Sequence, residues 1–251
     1  MSSPMLCTPN FNIDSLKCKL DSSCILGIGG SAITFKGLHG IFGEVAAKVL
    51  AYNKDLDTTA ANEIDLLSTV NANSFVVNFY GWCMMKRAGI KHPVIVMEYM
   101  AGGSLHQLLY RDLAIKLPIH FKNRLIKELA GAINFLHSKL KNKNPIVHCD
   151  LKPQNLLLTM EMHLKVSDLG SAARSSTTEH IQKDKDDNFL YITHRYCAPE
   201  LFTGNLNKRP LPQVDIYSFG IILWEIMVRE EPYRYANGGD FIQHAVKNHA
   251  N

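Results

Sequence analysis

His148-Cys149-Asp150-Leu151-Lys152-Pro153-Gln154-Asn155, followed thirteen residues after Asn155 by Asp168-Leu169-Gly170, is the stretch on which the reading of this chain turns. Two carboxylates, an amide and a lysine are interleaved here with short apolar runs over residues 146–170. That texture belongs to functional loops carried on short strands, because apolar pieces anchor the segment while polar clusters face a ligand. Downstream, residues 171–192 are polar, with Ser175, Ser176, Thr177 and Thr178 together, and read as a mobile loop. Val214–Val228 is apolar nearly all round and predicts a buried helix.

Upstream of the loop, Ser104–Tyr110 and His120–Leu140 have helical period, with Leu125, Leu129, Ala132, Ile133 and Leu136 on one side. Ala101-Gly102-Gly103 breaks the pattern and marks a lobe boundary. Before it the period is that of strands. Cys24–Tyr52 is rich in Ile, Val, Phe and Thr between glycines, predicting consecutive antiparallel strands. Phe75–Trp82 and Pro93–Met100 predict two more, separated from the first set by a helix over Asp57–Val70 with Thr58 and Thr59 as cap candidates. Residues 1–20 read as a flexible leader.

Composition sets the outer bounds. The 251 residues are 46% hydrophobic and 20% charged, with 27 basic and 23 acidic side chains, the profile of an ordinary globular protein. A net charge of +4 is too diffuse for a nucleic-acid binder, and Lys139–Lys143 reads as a solvated loop. The apolar run Phe219–Val228 is too short to span a bilayer and carries Glu225, so no membrane span is expected. No basic start followed by an apolar core marks a secretory signal. Six cysteines scattered without a CxxC pair suit reduced thiols, which points to a cytoplasmic location.

Two further motifs carry chemistry. Gly27-Ile28-Gly29-Gly30-Ser31-Ala32 fits three readings: a hairpin closing over phosphates, a dinucleotide-binding turn, or a tight turn with no ligand. The dinucleotide reading requires a helix at once, whereas Ile33-Thr34-Phe35-Lys36-Gly37 follows, so a dinucleotide oxidoreductase is disfavoured. Lys48, inside the apolar strand Val45-Ala46-Ala47-Lys48, needs an anionic partner because a desolvated ammonium is costly. Glu63 on the next helix is the candidate.

The order of these elements, completed by Ala198-Pro199-Glu200 and Asp215-Ile216-Tyr217-Ser218-Phe219-Gly220, resembles the eukaryotic protein kinase superfamily from about residue 21 to the end. The resemblance implies an α+β, two-lobed protein-kinase-like fold: a small β-rich N-lobe over 21–101 and a mainly helical C-lobe over 102–251. Lys152-Pro153-Gln154-Asn155 looks like a serine/threonine kinase. Val96–Leu105, Gly220–Glu225 and Gly238-Gly239-Asp240-Phe241 are similar to the tyrosine-kinase-like group, and within it to the TGF-β-activated MAP kinase kinase kinases.

By that resemblance the function is transfer of the γ-phosphate of ATP to protein hydroxyls, with Mg2+. Gly27, Ile28, Gly29 and Gly30 would cover the phosphates, and Lys48, held by Glu63, would bind them. Asn155 and Asp168 would hold the metal, Asp150 would take the hydroxyl proton, and Lys152 would steady the γ-phosphate. Thr193 would brace Asp150 and Lys152. Adenine would meet the backbone of Glu98 and Met100, between Ala46 and Leu157, with Met97 behind. Implied partners are a protein substrate such as a MAP kinase kinase and an activator or scaffold protein.

The chain also departs from the family's pattern. Ala32 replaces the third glycine, Thr34 the usual valine, Leu169 the commonest phenylalanine and Cys149 the arginine before Asp150. Without that arginine, phosphorylation at Ser175–Thr178 is expected to matter less for switching. The sequence stops at Asn251 after one helix-like segment, Asp240–Asn248, short of the family's last helices, so the C-lobe reads as truncated. Those departures motivate an alternative: a catalytically weak or inactive kinase-like module acting by ATP and partner binding.

Overall fold

The computed structural model describes residues 16–17, 22–30, 32–51, 56–71, 73–87, 89–111, 113–140, 143–174, 194–202 and 211–235. Thr193, Ser175–Thr178 and Asp240–Asn248 lie outside the described residues. Two compact units divide the chain, Met1–Ala101 and Gly102–Asn251.

The first unit is a six-stranded antiparallel sheet with one helix. Its strands are β1 (Leu16–Lys17), β2 (Ile25–Ile28), β3 (Ala32–His39), β4 (Gly43–Leu50), β5 (Phe79–Arg87) and β6 (Ile90–Glu98), in the order β1-β3-β4-β6-β5 with β2 also on β3. Leu16–Lys17, within the stretch read as leader, pairs with Leu38 and His39. Helix α1 (Leu56–Val70) buries Ala60, Ile64, Leu67 and Val70, the helical spacing seen in the sequence. It starts earlier than expected, so Thr58 and Thr59 fall inside it and do not precede it. The strand expected from Phe75 begins only at Phe79. Asn73 Oδ1 accepts from the Phe75 amide, turning the chain there, and the Asn71 side-chain amide brackets both backbone groups of Phe79. Its partner begins earlier than expected, at Ile90, because the hairpin ends are charged and exposed and carry no apolar alternation to read.

The second unit contains β7 (Gly103–Ser104), α2 (Leu105–Tyr110), α3 (Ile119–His137), β8 (Ile146–Val147), β9 (Leu156–Leu158), β10 (Leu164–Val166), β11 (Ala173–Arg174) and α4 (Gln213–Val228). Ser104 caps α2, its hydroxyl accepting from the Gln107 amide while the Gln107 side chain accepts from the Ser104 amide. Helix α3 buries the five apolar residues that its period predicted.

Helix α4 differs from expectation. It is buried along one face only, by Val214, Asp215, Ser218, Ile222, Glu225 and Ile226, whereas Ile216, Trp224 and Met227 are exposed. Asp215, Ser218 and Glu225 therefore lie on the buried side, where each finds a partner. Ser218 donates to the carbonyl oxygens of Tyr196 and Val214, and the hydroxyls of Tyr110 and Tyr196 donate to opposite oxygens of the Glu225 carboxylate at 2.5 and 2.8 Å. Burial still pushes the Glu225 carboxyl above its ordinary value, the two phenols offsetting this in part.

Two stability measurements check these packing claims. A Cβ at Gly102 would lie 2.5 Å from the Thr159 carbonyl oxygen and 2.8 Å from Leu158 Cβ. Gly102→Ala is therefore expected to lower the unfolding free energy by about 2 kcal/mol, and an unchanged denaturation midpoint contradicts the contact. Because burial raises the Glu225 carboxyl, the folded chain holds that proton more readily than the unfolded one, and stability from this group is lost as pH rises above 4.5. The stability of wild type relative to Glu225→Gln should thus fall from acid to neutral pH. A difference that grows in favour of wild type contradicts the assignment.

Candidate active site

In the first unit the sheet register fixes what shares a face. Lys48 on β4 is opposite Thr34 on β3 and Ile95 on β6, while Ala46 is opposite Lys36 and Met97. Alternation then places Thr34, Lys36, Ala46, Lys48 and Met97 on one face of the sheet. Helix α1 presents Glu63 between Ala60 and Leu67, on its buried side. The Lys48 ammonium donates to Glu63 Oε1 at 2.6 Å, and the two residues are 9% and 3% exposed. A pair so deeply buried is held by mutual charge against a large desolvation cost, and losing either partner strands the other.

The glycine turn lies at the end of the same sheet. The Gly29 amide donates to the Ala32 carbonyl at 2.8 Å, closing the turn. Nothing lies within 4 Å of a Cβ built on Gly27, and only the Ala32 oxygen, at 3.6 Å, near one on Gly29. Internal packing therefore does not demand these glycines. Ile28 and Gly30 are exposed. Glu98 exchanges two bonds with Asn78, its amide donating to the Asn78 carbonyl and its carboxylate accepting from the Asn78 amide, and Met100 beside it is buried.

In the second unit the site is a loop held by hydrogen bonds. Asp215, 1% exposed, accepts from three N–H groups: the His148 amide at 2.8 Å, the Cys149 amide at 2.9 Å and His137 Nε2 at 2.7 Å. The next residue along is Asp150, whose amide leans on His148 Nδ1 at 3.3 Å. Since Nδ1 accepts, His148 carries its hydrogen on Nε2, which donates to the Ser167 carbonyl at 3.0 Å. Ser167 in turn donates its amide and hydroxyl to the Asn155 carbonyl. Asn155 Nδ2 closes the circuit on Asp150, at 2.8 Å to its carbonyl and 3.1 Å to Oδ2, and Lys152 Nζ reaches that same Oδ2 at 2.7 Å.

The loop thus brings Asp150, Lys152 and Asn155 together and ties the residue before Asp168 to them. Cys149 and Asp168 have φ of 65° and 62°, left-handed values that a side chain adopts only when its surroundings dictate them. Cys149 also packs on an apolar cluster of Val147, Ala198 and Val214, beside Leu201 and Tyr217. Leu157 is half-buried on β9, opposite Ser104 and Lys165.

Sequence reasoning overlooked three members of this network, His137, Ser167 and the carboxylate of Asp215 itself. An aspartate near the start of a helix predicted to be buried was a legible signal, because such a charge needs donors. His137 and Ser167 gave none, since a histidine ending a helix and a serine in a loop are ordinary.

Comparison with known proteins supplies the family. The protein kinase domain matches residues 21–251. The mouse ankyrin repeat and protein kinase domain-containing protein 1 is 40% identical over 171 residues, 64% of this chain and 20% of that protein. A mitogen-activated protein kinase kinase kinase 7-like protein of Drosophila melanogaster is 34% identical over 194 residues, 76% of this chain and 44% of its own length. The dual specificity protein kinase shkC of Dictyostelium discoideum is 34% identical over 195 residues, 76% and 35% respectively. The chain accordingly spans less than half the length of these relatives. With a β-rich first unit and a mainly helical second, and with the lysine–glutamate pair and the aspartate–asparagine loop formed within them, the chain belongs to the protein kinase family.

Proposed function

We propose that the chain transfers the γ-phosphoryl group of ATP to serine and threonine hydroxyls of protein substrates. One observation carries this reading: an Asp150 carboxylate held at one oxygen by Lys152 and Asn155, on a loop whose amides are pinned from behind by Asp215. Such an arrangement orients a proton acceptor and leaves little reorganisation for the moment of transfer.

The residues fit a magnesium nucleotide. The space at Gly27 suits a phosphate against the backbone. Asn155 spends its Nδ2 on Asp150, and no hydrogen bond occupies its Oδ1 among the described residues. That oxygen and the Asp168 carboxylate are the hard donors that Mg2+ takes. ATP supplies the phosphoryl group and the metal neutralises its charge. Lys48, oriented by Glu63, binds the α- and β-phosphates; in the first unit Ala46, Met97 and the backbone of Glu98 and Met100 are assigned to adenine, and in the second Leu157 is assigned to it and Lys152 to the γ-phosphate. As the substrate oxygen bonds to phosphorus and the bond to ADP breaks, Asp150 receives the hydroxyl proton.

The serine/threonine preference is supported by Lys152-Pro153-Gln154-Asn155, although one relative is named a dual specificity kinase. The kinase kinase kinase-like relative and the Val96–Leu105 and Gly220–Glu225 motifs support a tyrosine-kinase-like, MAP kinase kinase kinase-like role, with a MAP kinase kinase as substrate class and an activator or scaffold as partner; the scattered cysteines suit the cytoplasm. Ala32 at the third glycine position favours a second reading, a module that binds nucleotide with little turnover.

A thermal-shift titration with ATP and Mg2+, run beside a transfer assay, separates the two. Lys48→Met should abolish the nucleotide-induced shift. Asp150→Asn should keep the shift and slow transfer by about 10²–10⁴-fold. Gly27→Ala should leave stability unchanged and weaken ATP binding. Asp150→Asn transferring as fast as wild type refutes the assigned base, and a wild-type chain that binds without transferring establishes the second reading.

A further inference from the structure

The tip of the β5–β6 hairpin carries charge for which the proposed chemistry has no use. Across the ladder Lys86 is directly opposite Lys91, and Arg87 directly opposite Ile90. Directly opposed residues project to the same face of the ribbon and the next pair to the other. One face therefore presents two ammonium groups, and the other a guanidinium beside Ile90, whose side chain is 45% exposed. All three cations are exposed, and none has a hydrogen bond or ion pair among the described residues. Like charges set directly opposite each other weaken a hairpin. Gly89 has φ of 83°, a left-handed value that suits a chain reversal and asks for no flanking charge. Lys86 and Arg87 lie on β5, the outer strand of the sheet, where charge guards the edge, but that does not account for Lys91 on β6 set opposite Lys86.

We infer that this tip docks on the anionic surface of a lipid bilayer, Ile90 entering the headgroup layer and Lys86, Arg87 and Lys91 meeting the headgroup phosphates and carboxylates. Cations on both faces, with the exposed Ile90 beside the turn, suit an end-on approach to a plane. An acidic peptide or a nucleic-acid strand lying along the ribbon would meet one face and leave the other's charge unused. No membrane-crossing segment is involved, and no helix among the described residues is long and apolar enough for one. Each basic residue near an anionic leaflet contributes about fivefold to partition, so three give a weak, reversible association of about 100-fold.

The test is co-sedimentation of the full chain with vesicles of phosphatidylcholine alone or mixed with phosphatidylserine. Binding is expected only to the anionic vesicles at about 0.1 M salt, and should be lost at about 0.5 M as screening shortens the field's reach. Lys86→Glu turns the like-charged pair into an opposite-charged one, so it should raise the melting temperature while cutting anionic-vesicle binding about 25-fold. Lys116→Glu, an exposed charge change in the second unit, should leave binding unchanged. The inference is overturned by equal binding to neutral vesicles, by no binding to either, or by Lys86→Glu binding like wild type. An equal loss in Lys116→Glu also overturns it, as does transfer of the chain from vesicles to poly-glutamate or a homopolymeric RNA.

Discussion

A carboxylate with almost no access to water sits beneath the loop that carries Asp150, and the geometry of the second unit depends on it. Removing a charge from water costs several kcal/mol, and Asp215 recovers that only by accepting from three N–H donors at once. Two of those donors are backbone amides of the loop itself. A segment with neither helix nor strand to fix its backbone is thereby fixed from below, strongly enough to hold Cys149 at φ of 65°. From that anchor, bonds run through His148 to Ser167, from Ser167 to Asn155, and from Asn155 back to Asp150. The result is a closed circuit in which each polar group both gives and receives orientation.

Cys149 shows what the circuit does without. An arginine at this place would put a cation beside the loop and make its position answer to nearby negative charge. The thiol packs instead against Val147, Ala198 and Val214, so apolar contact links the loop to the chain around Ala198-Pro199-Glu200. Contact of that kind is insensitive to salt and to phosphate, in contrast to an ion pair.

Much of this was legible in the sequence because it is written in period and in cost. A lysine within an apolar strand requires a partner, and Glu63 was found by that argument alone. Helix α3 announced its buried face by spacing, and the glycine turn announced itself by the strand that follows. What escaped was polar burial. Apolarity reads as inward, so α4 was expected to be buried all round, whereas its inward stripe carries Asp215, Ser218 and Glu225 and exposes Ile216, Trp224 and Met227. Only partners distant in sequence, such as Tyr110 and Tyr196 for Glu225, make that stripe stable, and single-sequence period cannot supply them. Strand ends were displaced for a related reason: Asn71 and Asn73 side chains bind backbone groups locally, and no apolar pattern records it.

On the proposed function, this circuit serves metal-dependent transfer of phosphate to an aliphatic hydroxyl. Its most direct test is phosphoamino-acid analysis of a generic protein substrate incubated with the chain and γ-labelled ATP, with Mg2+ present or chelated. Label on serine and threonine, lost on chelation, is the expected result; label confined to tyrosine, or label that survives chelation, refutes the proposed function.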